Sequence, residues 1–144
     1  MAEEYHAQNN ERGKMPVTPD LVWLVWAAVL AFVLVLVATM GRMLQVGLPA
    51  LAGNREHMPA ATGWAGRAQR AHSNMMENLP LFIILVVAAH LAGKADGAAL
   101  TGCAVFVWAR VAHAVVYIAG IAWLRTLCWA VSVVGLAMIL GRLI

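Results

Sequence analysis

Arginine, asparagine and glutamate recur at helical spacing in one stretch of this sequence, RAQRAHSNMMENLP at residues 67–80. At about 100° per residue, Arg67, Arg70, Asn74 and Glu77 fall within an arc of about 80° on one helix face. A second stretch, ARVAHAVVYIAGIAWLRT at 109–126, carries Arg110, His113 and Tyr117 at i, i+3 and i+7, followed by Arg125 and Thr126. Guanidinium groups bind carboxylates through paired hydrogen bonds, so a surplus of them points to an anionic ligand. Among Arg67, Arg70, Arg110, Arg125 and Glu77 the arginines outnumber the acid four to one. Glu77 can accept from a ligand ammonium, while Asn74, His113 and Tyr117 supply neutral hydrogen bonds. An internal salt bridge of Glu77 with Arg70 or Arg110 is the simpler alternative. It accounts for one pair and leaves the other guanidiniums unmatched.

These polar residues sit in an apolar chain. Of 144 residues, 62% are hydrophobic and 12% charged, with a mean hydropathy of +0.76; soluble domains are about 45–50% apolar and about 25% charged. Leu21 to Ala38 contains no charged residue, close to the ~20 residues that cross ~30 Å of hydrocarbon. A polar stretch precedes this block and more apolar blocks follow, which argues for a retained helix over a cleaved signal peptide. The net charge of +3 and pI near 9.3 do not imply nucleic acid, because the basic residues lie at helix ends or singly within apolar runs.

The expected fold is all-α and membrane-embedded, with four transmembrane helices near 18–45, 64–92, 97–119 and 122–143. Residues 1–17 read as a polar, flexible tail ahead of a membrane domain at 18–144. Thr18-Pro19-Asp20 reads as a helix start: Thr18 as side-chain cap, Pro19 at the first position, Asp20 at the positive dipole end. Residues 46–63, with Pro49, Pro59 and three glycines, read as a long loop. Pro80 should kink the second helix. Short turns at 93–97 and around Gly120 force the last three helices to run antiparallel, so the start of the second, the end of the third and the start of the fourth share one side of the membrane. The polar residues of all three segments therefore meet in one layer. His90 reads as an interfacial residue without a partner. No two histidines share an i, i+3 or i, i+4 spacing and the cysteines form no CxxC, so no metal site is expected. Cys103 and Cys128 read as small apolar residues. A four-helix drug exporter would need an acid embedded within the first helix, and that helix shows none.

The two polar stretches resemble the membrane-associated proteins in eicosanoid and glutathione metabolism, the MAPEG family, which includes microsomal glutathione transferases and microsomal prostaglandin E synthase. R-A-H-x-N-x-x-E and R-V-A-H-x-x-x-Y carry the likeness, which spans roughly 18–144. The resemblance implies a homotrimer that binds glutathione between neighbouring subunits and acts on a hydrophobic small-molecule substrate. Arg70, Asn74, Glu77, Arg110, His113 and Tyr117 match glutathione-binding positions. Arg125 matches the arginine that holds the sulfur as thiolate, with Thr126 beside it as a further donor. Two departures stand out: Ser73 replaces a basic residue of the prostaglandin synthase branch, and Arg42 is an uncertain counterpart of the family's first-helix arginine. The expected activity is glutathione transfer or peroxide reduction on hydrophobic electrophiles; the alternative is a non-enzymatic binding or scaffold protein of the same fold. Basic residues weakly favour a cytoplasmic first loop. The Ala/Val/Gly-rich helices and the lack of an organelle signal point to a multi-pass protein of a bacterial inner membrane.

Overall fold

The computed structural model describes residues 17–54 and 57–144; most of the expected N-terminal tail lies outside them. Five helices follow in order: α1 Pro19–Val46, α2 Leu48–Ala52, α3 Gly63–Leu91, α4 Gly97–Ala119 and α5 Ala122–Leu143. All but α2 are long and apolar enough to cross a membrane, and no strand occurs among the described residues. Their bounds lie within a residue or so of the sequence expectation. The expected loop at 46–63 is corrected in part, since Leu48-Pro49-Ala50-Leu51-Ala52 closes one helical turn. Pro49 suits the first turn of a helix because its missing N–H would find no partner there anyway. Further along the segment, Pro59 and Thr62 meet the end of α1. The Gln45 side chain donates to the Thr62 carbonyl (2.9 Å) and accepts from the Thr62 amide (3.3 Å), and Arg42 Nη2 donates to the Pro59 carbonyl.

α3 has 29 residues, about 43 Å at 1.5 Å per residue, more than the ~30 Å of hydrocarbon. Its excess length places the first turns, with Arg67 and Arg70, toward the aqueous boundary. The helix continues through Pro80. The core lies among α1, α3, α4 and α5, the last contributing Leu136 and Ile139, with Phe82 and Phe106 stacked at 4.2 Å between centroids. α4 and α5 make the most extensive contact. Gly102 and Gly135 permit it: a Cβ on Gly102 would stand 2.7 Å from the Gly135 carbonyl oxygen, and one on Gly135 would stand 2.8 Å from that of Gly102. Without a hydrophobic drive between helices in lipid, such close approach is what packs them. The outer faces are apolar: Phe32, Ile84, Val115 and Leu127 are all exposed on the bundle surface, where acyl chains replace water.

The end of the bundle away from the polar stretches holds a pair that sequence reasoning missed. Asp20 is 3% exposed, and its carboxylate meets His90 Nδ1 at 2.8 Å. Thr18 does not cap α1 through its side chain; its hydroxyl lies 3.4 Å from the same nitrogen. Asp20 therefore does more than complement the dipole, and His90 is not without a partner. The pair ties the start of α1 to the last turn of α3. Close by in the fold, Arg142 Nη2 meets Asp96 Oδ1 at 2.8 Å and Lys94 donates to the Leu143 carbonyl at 3.3 Å, fastening the end of α5 to the α3–α4 turn. Breaking a buried pair strands a charge and costs about 3–5 kcal/mol. His90→Ala is therefore expected to lower the thermal midpoint in detergent well below wild type. The double variant Asp20→Asn/His90→Ala should recover much of the loss, and equal melting of the single and double variants would contradict the pairing.

Candidate functional site

The opposite end of the bundle gathers the predicted site residues from α3, α4 and α5. Arg110, about half a turn past the middle of α4, is 1% exposed. Its Nη2 donates to Asn74 Oδ1 at 2.9 Å across to α3. Asn74 Nδ2 in turn donates to Glu77 Oε2 at 3.4 Å, and the Asn74 carbonyl accepts from Asn78 Nδ2 at 2.8 Å. Asn74 is thus the hinge of the network, an amide that can offer its oxygen to a cation and its nitrogen to an anion at once. No ion pair within 4 Å joins Glu77 to Arg70 or Arg110 among the described residues; Arg110 reaches Glu77 only through Asn74. Arg110 Nε and Nη1 are buried and have no hydrogen-bond partner among the described residues.

One turn further along α4, His113 is 3% exposed and packs edge-on to Tyr117, with centroids 5.4 Å apart. The Arg125 guanidinium lies over the Tyr117 ring, 4.5 Å from its centroid, a geometry in which the ring quadrupole attracts the cation. No carboxylate pairs with Arg125 among the described residues. Thr126 Oγ1 donates to the Ala122 carbonyl at 3.3 Å, one turn back in its own helix, so the hydroxyl is turned along α5.

Two cavities follow from this layout. One of about 260 Å³ is lined by Asn74, His113, Tyr117, Arg125, Thr126 and Trp129. Another of about 80 Å³ is walled by Arg67, Arg70, Tyr117 and Arg125 together with the α4–α5 turn. They share Tyr117 and Arg125. Six of the eight predicted residues line one or other cavity, while Arg110 and Glu77 join through Asn74. Neither cavity has a carboxylate in its wall, so their fields are cationic, and a low-dielectric surrounding strengthens such fields.

Arg70 also faces a larger recess of about 630 Å³, between the second half of α1, the residues before α3, and α3 itself; Arg42, Gln69 and His72 line it as well. Arg42 Nη1 is buried there without a partner among the described residues. A fourth hollow, an apolar groove of about 390 Å³ with Trp23, Trp26 and Trp108 in its wall, shares no residue with the polar cavities. Arg67 and Trp129 were not among the predicted site residues. Periodicity puts Arg67 in the arc of about 80° with Arg70 and Asn74 and in the guanidinium surplus, without giving it a role of its own. Trp129, one helical turn beyond Arg125, gave no signal beyond that spacing. Cys103 is buried and Cys128 partly so, both as free thiols.

An integral membrane protein of four spanning helices, with a guanidinium-rich polar site at one end of its bundle, is the class that fold and site define. The sequence model of the MAPEG family matches residues 21–144, and the chain belongs to that family, whose members include glutathione transferases and related enzymes. No curated protein matches the chain.

Among the described residues, Asn74 is the one hydrogen-bonding partner of the buried Arg110. Asn74→Leu would leave that guanidinium wholly unpartnered, at a cost of about 2–3 kcal/mol for a charged group. The variant is expected to melt several degrees below wild type in detergent, whereas Asn74→Asp, which keeps the acceptor, should stay close to it. Indistinguishable melting of Asn74→Leu and wild type would remove Asn74 as the centre of the network.

Proposed function

We propose that the protein is a glutathione-dependent membrane transferase or peroxidase acting on hydrophobic electrophiles, and that it works as a homotrimer. The observation that carries this reading is the pair of joined cavities in which Arg67, Arg70 and Arg125 converge with no carboxylate in the wall. A tripeptide bearing two carboxylates, one ammonium and a thiol suits such a wall. Arg70 pairs with a carboxylate, and Asn74, His113 and Tyr117 fill the neutral contacts, while Glu77, outside both walls and bonded to Asn74, accepts from an ammonium that reaches past Asn74. Arg110 acts from behind, holding Asn74 in orientation.

Glutathione supplies the nucleophilic sulfur. Arg125 supplies the charge that favours S⁻ over SH, as cationic neighbours do for protein thiols. The start of α5 adds the positive end of a helix dipole, about 0.3–1 kcal/mol when exposed. The thiol proton leaves to solvent, the sulfur forms a bond to the electrophilic carbon, and the leaving group departs with the bonding electron pair. With an organic hydroperoxide, two glutathiones are oxidised to the disulfide as the peroxide is reduced to an alcohol and water. Holding both reactants in one pocket removes the entropic cost of their encounter. Trp129, 41% exposed on α5, gives the larger cavity an apolar wall toward the lipid side, where a hydrophobic substrate arrives.

Arg125→Ala is expected to bind glutathione within about tenfold of wild type, yet to lose the ultraviolet thiolate band at pH 7. A charged hydrogen bond is worth about 1.5–3 kcal/mol, so the thiolate titration should move up by about one to two pH units. Arg70→Ala and Glu77→Ala should instead weaken binding itself. Calorimetry and a thiolate difference spectrum on the three variants test this. An unchanged thiolate band in Arg125→Ala would remove its role, and a wild type that binds no glutathione would leave a scaffold protein. Mass measurement in detergent tests the trimer; monomers at every concentration would exclude it.

A further inference from the structure

The residue that decides where Arg125 points lies on a different helix. α4 ends at Ala119, and the carbonyls of its last turn have no partner further along the helix. Val116 and Tyr117 give theirs to the amides of Gly120 and Ile121. The Ile118 carbonyl is taken by Arg67 Nε, at 2.7 Å, from the first turn and a half of α3. The same side chain lies flat on the turn: a Cβ on Gly120 would stand 3.3 Å from Arg67 Nε and 3.4 Å from its Cζ. Gly120 has φ +89°, the left-handed conformation that closes α4 and that other residues adopt only under strain. Between this turn and Arg125 there is only the first turn of α5, with the Arg125 amide bonded to the Ile121 carbonyl at 3.1 Å.

We infer that Arg67 is a positioning residue: by bonding Ile118 and covering Gly120 it fixes the α4–α5 turn, and so holds the Arg125 guanidinium over Tyr117 and in the cavity wall. This rests on the glutathione reading above, in which Arg125 acts on the sulfur. The donor at Nε does the positioning; the positive charge of Arg67 does not. A guanidinium is a good residue for the place because it offers that donor while its flat face lies against a glycine.

Side-chain chemistry separates the two properties. Gln places a nitrogen donor at the same distance along the chain as Arg Nε, without the charge. Met has a similar length and no donor there. Lys keeps the charge but has a methylene at that position. With 1-chloro-2,4-dinitrobenzene and glutathione as probes, Arg67→Met and Arg67→Lys are expected to lose kcat by about fivefold to tenfold, the worth of one lost hydrogen bond. Their thiolate titrations should shift upward, while Arg67→Gln should keep the wild-type thiolate titration, and any rise in KM for glutathione from the lost wall charge should be common to Gln and Met. Gly120→Ala, which crowds the Arg67 side chain and strains the turn at φ +89°, should reproduce the Met phenotype with Arg67 itself left in the sequence. Helical circular dichroism identifies any variant that fails to fold, and the Lys and Gln variants keep the comparison if Met is one of them. Equal behaviour of Arg67→Gln and Arg67→Lys, or a wild-type thiolate titration in either Met or Lys, would overturn this inference alone. A wild type with no thiolate band would overturn the glutathione chemistry and this inference together.

Discussion

Arg110 carries a charge where the packed helices exclude both water and lipid headgroups. A guanidinium in such a place must be met by acceptors, because the free energy of leaving it bare is several kcal/mol or more. Asn74 meets it, and in doing so fixes the relative height of α3 and α4. Nearly everything polar at this end of the bundle is set by that one bond. Glu77 is held through Asn74, and His113 and Tyr117 follow Arg110 along the same face of α4. The Tyr117 ring in turn provides the surface on which Arg125 rests. The acid that would most simply neutralise Arg110 is kept one side chain away, and Arg70 and Arg125, exposed and half-buried, meet no carboxylate among the described residues.

The two ends of the molecule use polar residues in opposite ways. At the far end, Asp20 hydrogen-bonds His90 and Asp96 pairs with Arg142, pinning helix termini to one another. At the site end, cations gather around cavities and the walls contain no anion. Matched pairs close a bundle, and unmatched ones leave it a demand for ligand. The middle, between these layers, is apolar and closely packed, with the Phe82–Phe106 stack and the Gly102–Gly135 contact setting the helix spacing. Membership of the MAPEG family agrees with the lipid-embedded four-helix bundle.

Much was legible from the residues because membrane helices are read from simple quantities. The length of an apolar run against the bilayer thickness gave the four spans to within a residue or so, and helical periodicity placed Arg70, Asn74 and Glu77 on one face and Arg110, His113 and Tyr117 on another. The shortness of the turns at 92–96 and 120–121 gave the antiparallel order, and that order alone brought the polar stretches to one side. Periodicity, however, says which side of a helix a residue lies on and nothing about what stands opposite. The sequence therefore left open whether Glu77 paired with an arginine; the structure puts Asn74 between them.

The same limit explains the residues that were missed. Asp20 and His90 lie 70 positions apart, and each alone looks like an ordinary helix-end residue; only the lateral packing of α1 on α3 makes them a buried pair. Arg67 reads as one more cation of the ligand-facing arc, and its bond to the end of α4, 51 positions on, shows only in the packed structure. α2 hid in a segment whose prolines and glycines read as loop, and Pro59 and Thr62 further along that segment meet the end of α1. By itself the sequence determined the spans, their order and the faces on which charge would gather, since these depend on local length and period. Which charges are paired, which are bridged and which are left facing a cavity was decided by tertiary contact, because a hydrogen bond acts over about 3 Å and only the packed helices bring such distant residues that close.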